Sequence, residues 1–123
     1  MGGRILVVDD DPDVLEVLSD DLSYAGYSVL TAQSGNAALR LLEREPVDLI
    51  LSDLRMPDGD GLYLLRQVRS QDPRRPAVAI ITGYDEVTRE ELERLGAQAL
   101  FTKPYHAEHL IPGLAELLPD RDQ

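Results

Sequence analysis

Arg4-Ile-Leu-Val-Val-Asp-Asp-Asp-Pro12 is the stretch on which the fold turns. Ile5 to Val8 is an unbroken apolar run rich in β-branched residues, with no polar alternation. That pattern belongs to a strand buried on both faces, as in a parallel sheet covered by helices on each side. Three acids follow at once. Asp11-Pro12 opens a helix, with Asp11 as the N-cap and Pro12 at the first helical position, where a missing N–H costs nothing. Val14, Leu15, Leu18 and Leu22 then recur at helical spacing, and Gly26 stops the run.

Working outward, the same strand-then-helix unit recurs four more times. Tyr27 to Thr31 reads as a second strand, and Ser34 caps a helix to about Glu45 with Ala38, Leu41 and Leu42 on one face; Pro46 ends it. Val47 to Ser52 is a third strand that delivers Asp53 at its carboxyl end. Arg55-Met-Pro-Asp-Gly-Asp-Gly61 is dense in turn residues. Leu62 to Gln71 is helical with Leu62, Leu65 and Val68 inward, and Arg74-Arg75 falls in a solvated loop. Ala77 to Ile81 is a fourth strand ended by Thr82-Gly83, followed by a charged helix from Asp85 to Leu95 closed by Gly96. Ala97 to Phe101 is a weaker fifth strand. A last helix spans Tyr105 to Leu118, where Pro112-Gly113 is expected to kink or divide it. Strict alternation of this kind implies an α/β fold, a doubly wound five-stranded parallel sheet with helices on both faces.

At 123 residues the chain fits a single domain over 1–123, with a core at about 4–118. Its apolar runs are too short to cross a bilayer, and nothing at its start resembles a secretory signal. There is no cysteine, hence no disulfide, thiol nucleophile or thiolate metal site, a composition compatible with a cytoplasmic location. A net charge of −11 repels nucleic acid and anionic lipid, so no direct nucleic-acid or membrane binding is expected. Most of the excess acid reads as solubilising surface.

In an open doubly wound sheet, ligands collect at the carboxyl ends of the strands. Here that rim carries Asp9, Asp10 and Asp11 after strand one and Asp53 after strand three. Thr82 follows strand four, and Thr102-Lys103-Pro104 follows strand five. Clustered carboxylates repel one another and either take up protons or recruit a cation. Oxygen ligands without His or Cys suit Mg²⁺ or Mn²⁺. A carboxylate beside such an ion can attack phosphorus to give an acyl phosphate, and a nearby ammonium and hydroxyl stabilise the transferring oxygens. Taken singly these residues are ordinary: Asp9 and Asp10 as solvated or capping acids, Thr82 as a strand end, Lys103 as a surface lysine. Asp11 and Asp13 suit a cap and a first-turn acid. His106 and His109 have no ligand spacing with the acids and read as surface residues.

Four stretches, in order and on the right elements, resemble a response-regulator receiver domain of two-component signalling over about Arg4 to Leu118. They are Ile5 to Pro12, Asp53-Leu-Arg-Met-Pro-Asp-Gly-Asp-Gly61, Ile81-Thr-Gly83 and Phe101-Thr-Lys-Pro104. The resemblance implies a flavodoxin-like strand order 2-1-3-4-5 and a phosphoacceptor at Asp53. It implies a metal ion held by Asp9, largely through water, by Asp10 and Asp53, and by the backbone carbonyl of Arg55. Thr82 would bind a phosphoryl oxygen and Lys103 the phosphoryl group or the bare Asp53 carboxylate. A cis peptide between Lys103 and Pro104 is a further expectation. Arg55 and Tyr84 stand where such domains tune their dephosphorylation rate.

One position departs from the pattern: Leu100 stands where such domains commonly carry a switching Tyr or Phe. The expected partners are a sensor histidine kinase or phosphotransfer protein and a downstream output domain or protein. That output would dock on the face of helix four, strand five and helix five, where a homodimer could also form. The chain would be a stand-alone receiver or one excised from a larger regulator or hybrid kinase. It would catalyse its own phosphorylation without being a turnover enzyme. Two rivals differ in chemistry. An aspartate-nucleophile phosphohydrolase would share Asp9-x-Asp11 but normally has Thr or Val at the place of Asp13, and needs a longer chain. A pseudo-receiver would keep the fold but usually lacks the acceptor, an acidic partner or the lysine, all present here.

Overall fold

A computed structural model of the chain describes residues 3–83 and 87–118. Five strands alternate with five helices among these residues. They are β1 (Arg4–Val8), α1 (Pro12–Tyr24), β2 (Ser28–Ala32), α2 (Gly35–Leu42) and β3 (Leu49–Asp53). Then come α3 (Gly61–Gln71), β4 (Ala77–Thr82), α4 (Arg89–Leu95), β5 (Ala99–Thr102) and α5 (Ala107–Ala115). The strands form one parallel sheet in the order β2-β1-β3-β4-β5, the expected flavodoxin-like arrangement.

The unalternating apolar run of β1 is explained by the two cores it serves. Ile5 and Val7 join Leu49, Leu51, Ala79 and Ile81 beneath Leu15, Leu18 and Leu22 of α1 and Leu110 and Leu114 of α5. Leu6 and Val8 join Ile50, Val78 and Ile80 beneath Ala38 of α2, Leu64, Leu65 and Val68 of α3 and Leu92 of α4. Every second residue of a strand faces the same side, so both faces of the sheet are sealed from water. Register pairs Val8 with Ser52, which brings the residues after β1 beside Asp53 at the end of β3.

The helix starts follow their caps. Asp11 accepts from the Asp13 N–H with Pro12 in the first turn, and Ser34 accepts from the Ala37 N–H. Gly96, at φ 103°, closes α4 in the left-handed region that glycine adopts freely.

Several boundaries differ from expectation. The described part of the fourth helix begins at Arg89, because Thr88 is extended and forms a capping box with Glu91. Tyr84, Asp85 and Glu86 lie outside the described residues. The second helix ends at Leu42 and not near Glu45. In α3 Leu64 is buried, whereas Leu62 is only half-buried. The fifth strand starts at Ala99. The Ala97 N–H donates to the Leu92 carbonyl at the end of α4, and the Gln98 side-chain oxygen accepts from the Val78 N–H at 2.8 Å.

Pro112 does not divide the last helix, which runs unbroken from Ala107 to Ala115. Gly113 has a packing reason: a Cβ there would come within 2.8 Å of the Phe101 ring, so glycine lets α5 lie directly on β5. Among the described residues no helix is long and apolar enough to cross a membrane.

Candidate phosphoacceptor site

The strand order reverses between β1 and β3, since the chain passes from β1 outward to β2 before returning to β3 on the other side. A crevice opens at the carboxyl ends of strands flanking such a point. Asp9 and Asp10 follow β1 directly, and Asp53 is the last residue of β3. One carboxylate oxygen from each of the three lies within 4.8 Å of the others. That spacing allows a single divalent ion to touch all three, and the all-oxygen donor set suits a hard cation.

The three carboxylates differ in setting. Asp9 is buried, and one of its oxygens accepts the Asp11 N–H at 2.9 Å. Burial pushes its carboxyl above the usual range; the Asp11 hydrogen bond and Lys103 oppose this, while Asp53 and Asp10 reinforce it. Asp10 is exposed. Asp53 is nearly covered, its side chain 12% accessible, and its Oδ1 takes two contacts: the Leu54 N–H at 3.0 Å and the Lys103 ammonium at 3.2 Å.

Thr82 and Lys103 arrive from the neighbouring strand ends. Asp53 is in register with Ile81, one residue before the buried Thr82, and the Lys103 N–H donates to the Thr82 carbonyl at 2.9 Å. The Lys103–Pro104 peptide is cis, as is Arg75–Pro76, which nothing in the sequence marks. Arg55 is exposed in the β3–α3 loop, two residues beyond Asp53. Leu100 is half-buried in β5 and packs on the α2–α3–α4 side of the sheet. Of the expected site residues, Asp9, Asp10, Asp53 and Lys103 are thus brought into one group with Thr82 adjoining. Arg55 and Leu100 flank it.

A Cβ on Gly61 would lie 2.5 Å from the Asp53 carbonyl oxygen, so glycine lets α3 begin directly against the Asp53 backbone. Asp58, at φ 58°, turns its carboxylate toward Ser34 and Asn36. Hydrogen bonds from Asn36 and then Ser34 hold that carboxyl below its usual range. The Pro57-Asp-Gly59 turn signal marks the bend, but no local pattern names partners more than twenty positions away.

Compared with known families, residues 5–115 match the response regulator receiver domain. The chain belongs to that family. The receiver is 37% identical over 116 residues to the transcriptional regulatory protein GlrR of Escherichia coli K12, covering 94% of this chain and 26% of that protein. It is 41% identical over 117 residues to the response regulator MprA of Mycolicibacterium vanbaalenii, covering 94% of this chain and 50% of the relative. It thus spans between a quarter and a half of these curated relatives. Among solved structures it resembles the chemotaxis response regulator CheY4 of Vibrio cholerae, with a TM-score of 0.87 and 29% identity over 96% of this chain and all of that one. NtrX of Brucella abortus also aligns at a TM-score of 0.87, with 30% identity over 96% of this chain and 27% of the other. The receiver is therefore a signalling module of two-component systems.

Proposed function

We propose that Asp53 accepts a phosphoryl group in a divalent-metal-dependent reaction, and that this modification switches a partner-binding face. One observation carries the reading: the Asp53 carboxylate shares a 4.8 Å neighbourhood with those of Asp9 and Asp10 and is paired with Lys103 at 3.2 Å. Asp9, Asp10, Asp53 and the Arg55 carbonyl would hold Mg²⁺ or Mn²⁺. Such an ion, when bound, neutralises the acidic cluster and draws charge from the phosphoryl oxygens.

The remaining work belongs to the chain. Among the described residues both contacts of Asp53 fall on Oδ1, which favours Oδ2 as the nucleophile. It forms the new bond to phosphorus as the donor's bond to that phosphorus breaks, and the donor leaves with the bonding electron pair. The Lys103 ammonium then pairs with a phosphoryl oxygen in place of the carboxylate, and the Thr82 hydroxyl donates to another. Loss of the Lys103–Asp53 pairing and recruitment of Thr82 alter β4 and β5 at their ends. A population shift of the α4–β5–α5 face follows. Leu100 contributes to that shift through apolar packing alone, having no hydroxyl.

We take residues 1–123 as one receiver unit acting in the cytoplasm. Receivers of this family work with histidine kinases and output domains. Here the donor is a sensor histidine kinase or phosphotransfer protein, and the output docks on the α4–β5–α5 face, where a homodimer would also form. Arg55 and Tyr84 set how long the phosphate lasts; an unchanged phosphoprotein half-life in both Arg55→Ala and Tyr84→Ala would remove that role.

The central test is intact mass after incubation with Mg²⁺ and a small acyl phosphate, on the wild type and Asp53→Ala. One phosphate adduct that needs the metal and disappears in the variant is the expected result. No adduct on folded wild type would sink the phosphoacceptor reading and leave a binding module with a receiver fold.

A further inference from the structure

We infer that Asp58 is a positioning residue for the metal site: it clamps the β3–α3 loop onto the start of α2 and so sets where the Arg55 carbonyl stands. This rests on the reading of that carbonyl as a metal ligand. The clamp is built from four hydrogen bonds between segments more than twenty residues apart. Asp58 Oδ2 accepts from the Ser34 hydroxyl at 3.1 Å, and Oδ1 accepts from the Asn36 amide at 2.9 Å. On the backbone, the Asn36 N–H donates to the Asp58 carbonyl at 3.1 Å and the Gly35 N–H to the Gly59 carbonyl at 2.7 Å.

Glycine permits the approach. A Cβ on Gly35 would lie 2.6 Å from the Gly59 oxygen, and one on Gly59 would lie 3.0 Å from the Asn36 nitrogen. Ser34 is committed on both sides, since its hydroxyl oxygen also accepts the Ala37 N–H at 3.0 Å as the cap of α2. The loop is therefore tied to a helix end that is itself fixed.

Only Met56 and Pro57 separate Arg55 from Asp58. The Met56 side chain is buried in the core on that side of the sheet, and the proline ring fixes its own φ. On the other side of the loop the Gly61 N–H holds the Leu54 carbonyl at 2.9 Å. Few backbone torsions are left to absorb a displacement of Asp58, so a shift there moves the Arg55 peptide. The start of α2, on the far side of β1 from the phosphoryl-binding strands, is thereby coupled to the metal.

Groups that orient a metal ligand typically cost roughly 10–100-fold in metal affinity when removed. One backbone ligand among several donors puts the expected loss here at roughly 10-fold. The test is calorimetric Mg²⁺ titration of the wild type, Asp58→Ala, Asp58→Gly, Asn36→Ala and Asp10→Asn, with metal-free melting temperatures recorded alongside. Asp58→Gly keeps easy access to positive φ and removes only the two side-chain bonds of the clamp, leaving its backbone pair. Both Asp58 variants should bind Mg²⁺ roughly 10-fold more weakly. Asn36→Ala should lose less, and adding it to Asp58→Ala should cost nothing further.

A purely structural role would lower the melting temperatures and leave affinity where it was. Wild-type affinity in the folded Asp58 variants, with Asp10→Asn clearly weakened, therefore overturns the inference. Should either Asp58 variant fail to fold, Asn36→Ala decides, since its side chain is half-exposed and contributes one bond of the clamp. If the wild type binds no Mg²⁺, or Asp10→Asn binds it equally well, the metal reading itself falls and the clamp's role falls with it.

Discussion

Asp9 is buried beside two other carboxylates, its charge offset only in part by the Asp11 N–H and the nearby Lys103 ammonium. Without a metal this arrangement costs stability, which is why burial raises its pKa. Asp9→Asn keeps an oxygen for the Asp11 N–H and removes the charge. Its metal-free melting temperature should rise by a few degrees while Mg²⁺ affinity falls, the opposition expected where a site is kept for function. Melts in chelator, paired with Mg²⁺ titration, check both signs; a variant destabilised without metal would show that the cluster is already relaxed. Lys103 acts in the other direction. Its ammonium, 3.2 Å from Asp53 and about 39% accessible, competes with a metal ion for the same carboxylate. Lys103→Met should therefore bind Mg²⁺ several-fold more tightly, the gain being moderated by solvent screening. Equal or weaker binding in calorimetry would mean that the lysine's charge is not felt at the ion's position.

At the scale of elements, the connection from α3 to β4 depends on Asp72. Its Oδ1 accepts the N–H groups of Arg74 at 2.8 Å and Arg75 at 3.0 Å, closing the turn ahead of Pro76. Those two hydrogen bonds, with smaller help from the Arg69 and Arg75 charges, lower its pKa from 3.8. A carboxyl whose folded value is depressed adds stability that is complete above the unfolded value and disappears as pH falls through the folded one. Asp72→Ala should thus be less stable than wild type at neutral pH, with the gap closing in acid below 3.8. Urea denaturation across that range measures it, and a gap that stayed constant would assign the loss to something other than the carboxylate. What the sequence disclosed divides along the same line. Strand ends were legible because the candidate site residues sit there as contiguous motifs, from Asp9-Asp10 to Lys103-Pro104. Helix ends were less so: Thr88-Arg-Glu-Glu91 spells a capping box, yet the charged run before it reads as more helix. The start of β5 could not be read because Gln98 serves β4 by a side-chain bond that no periodicity encodes. The Ser34–Asp58 and Asn36–Asp58 pairs were invisible for a related reason, since contacts across 24 and 22 residues are made by topology.

For the whole molecule, the governing fact is that one sheet serves two separate cores. Leu18 on α1 and Leu64 on α3 are both fully buried, but on opposite faces. Leu18→Ala and Leu64→Ala should each cost about 2–5 kcal/mol, the lost burial plus the cavity left behind. With the sheet between them the sites share no side-chain partner, so the double variant should add within about 0.5 kcal/mol. Both should still unfold in a single transition. Ile5 and Val7 of β1 belong to one core and Leu6 and Val8 to the other, so neither core can loosen while keeping its strands. The same strands carry Asp9, Asp10 and Asp53 at their ends. On the proposed function Mg²⁺ would bind only where those ends are held together, so saturating Mg²⁺ should raise the unfolding midpoint of either variant by the same increment as in wild type. Urea melts of the four proteins with and without Mg²⁺ give all of these quantities. A second transition, or a metal increment that differed between Leu18→Ala and Leu64→Ala, would mean that one layer can melt away from the site, and that the switch is carried by half of the molecule.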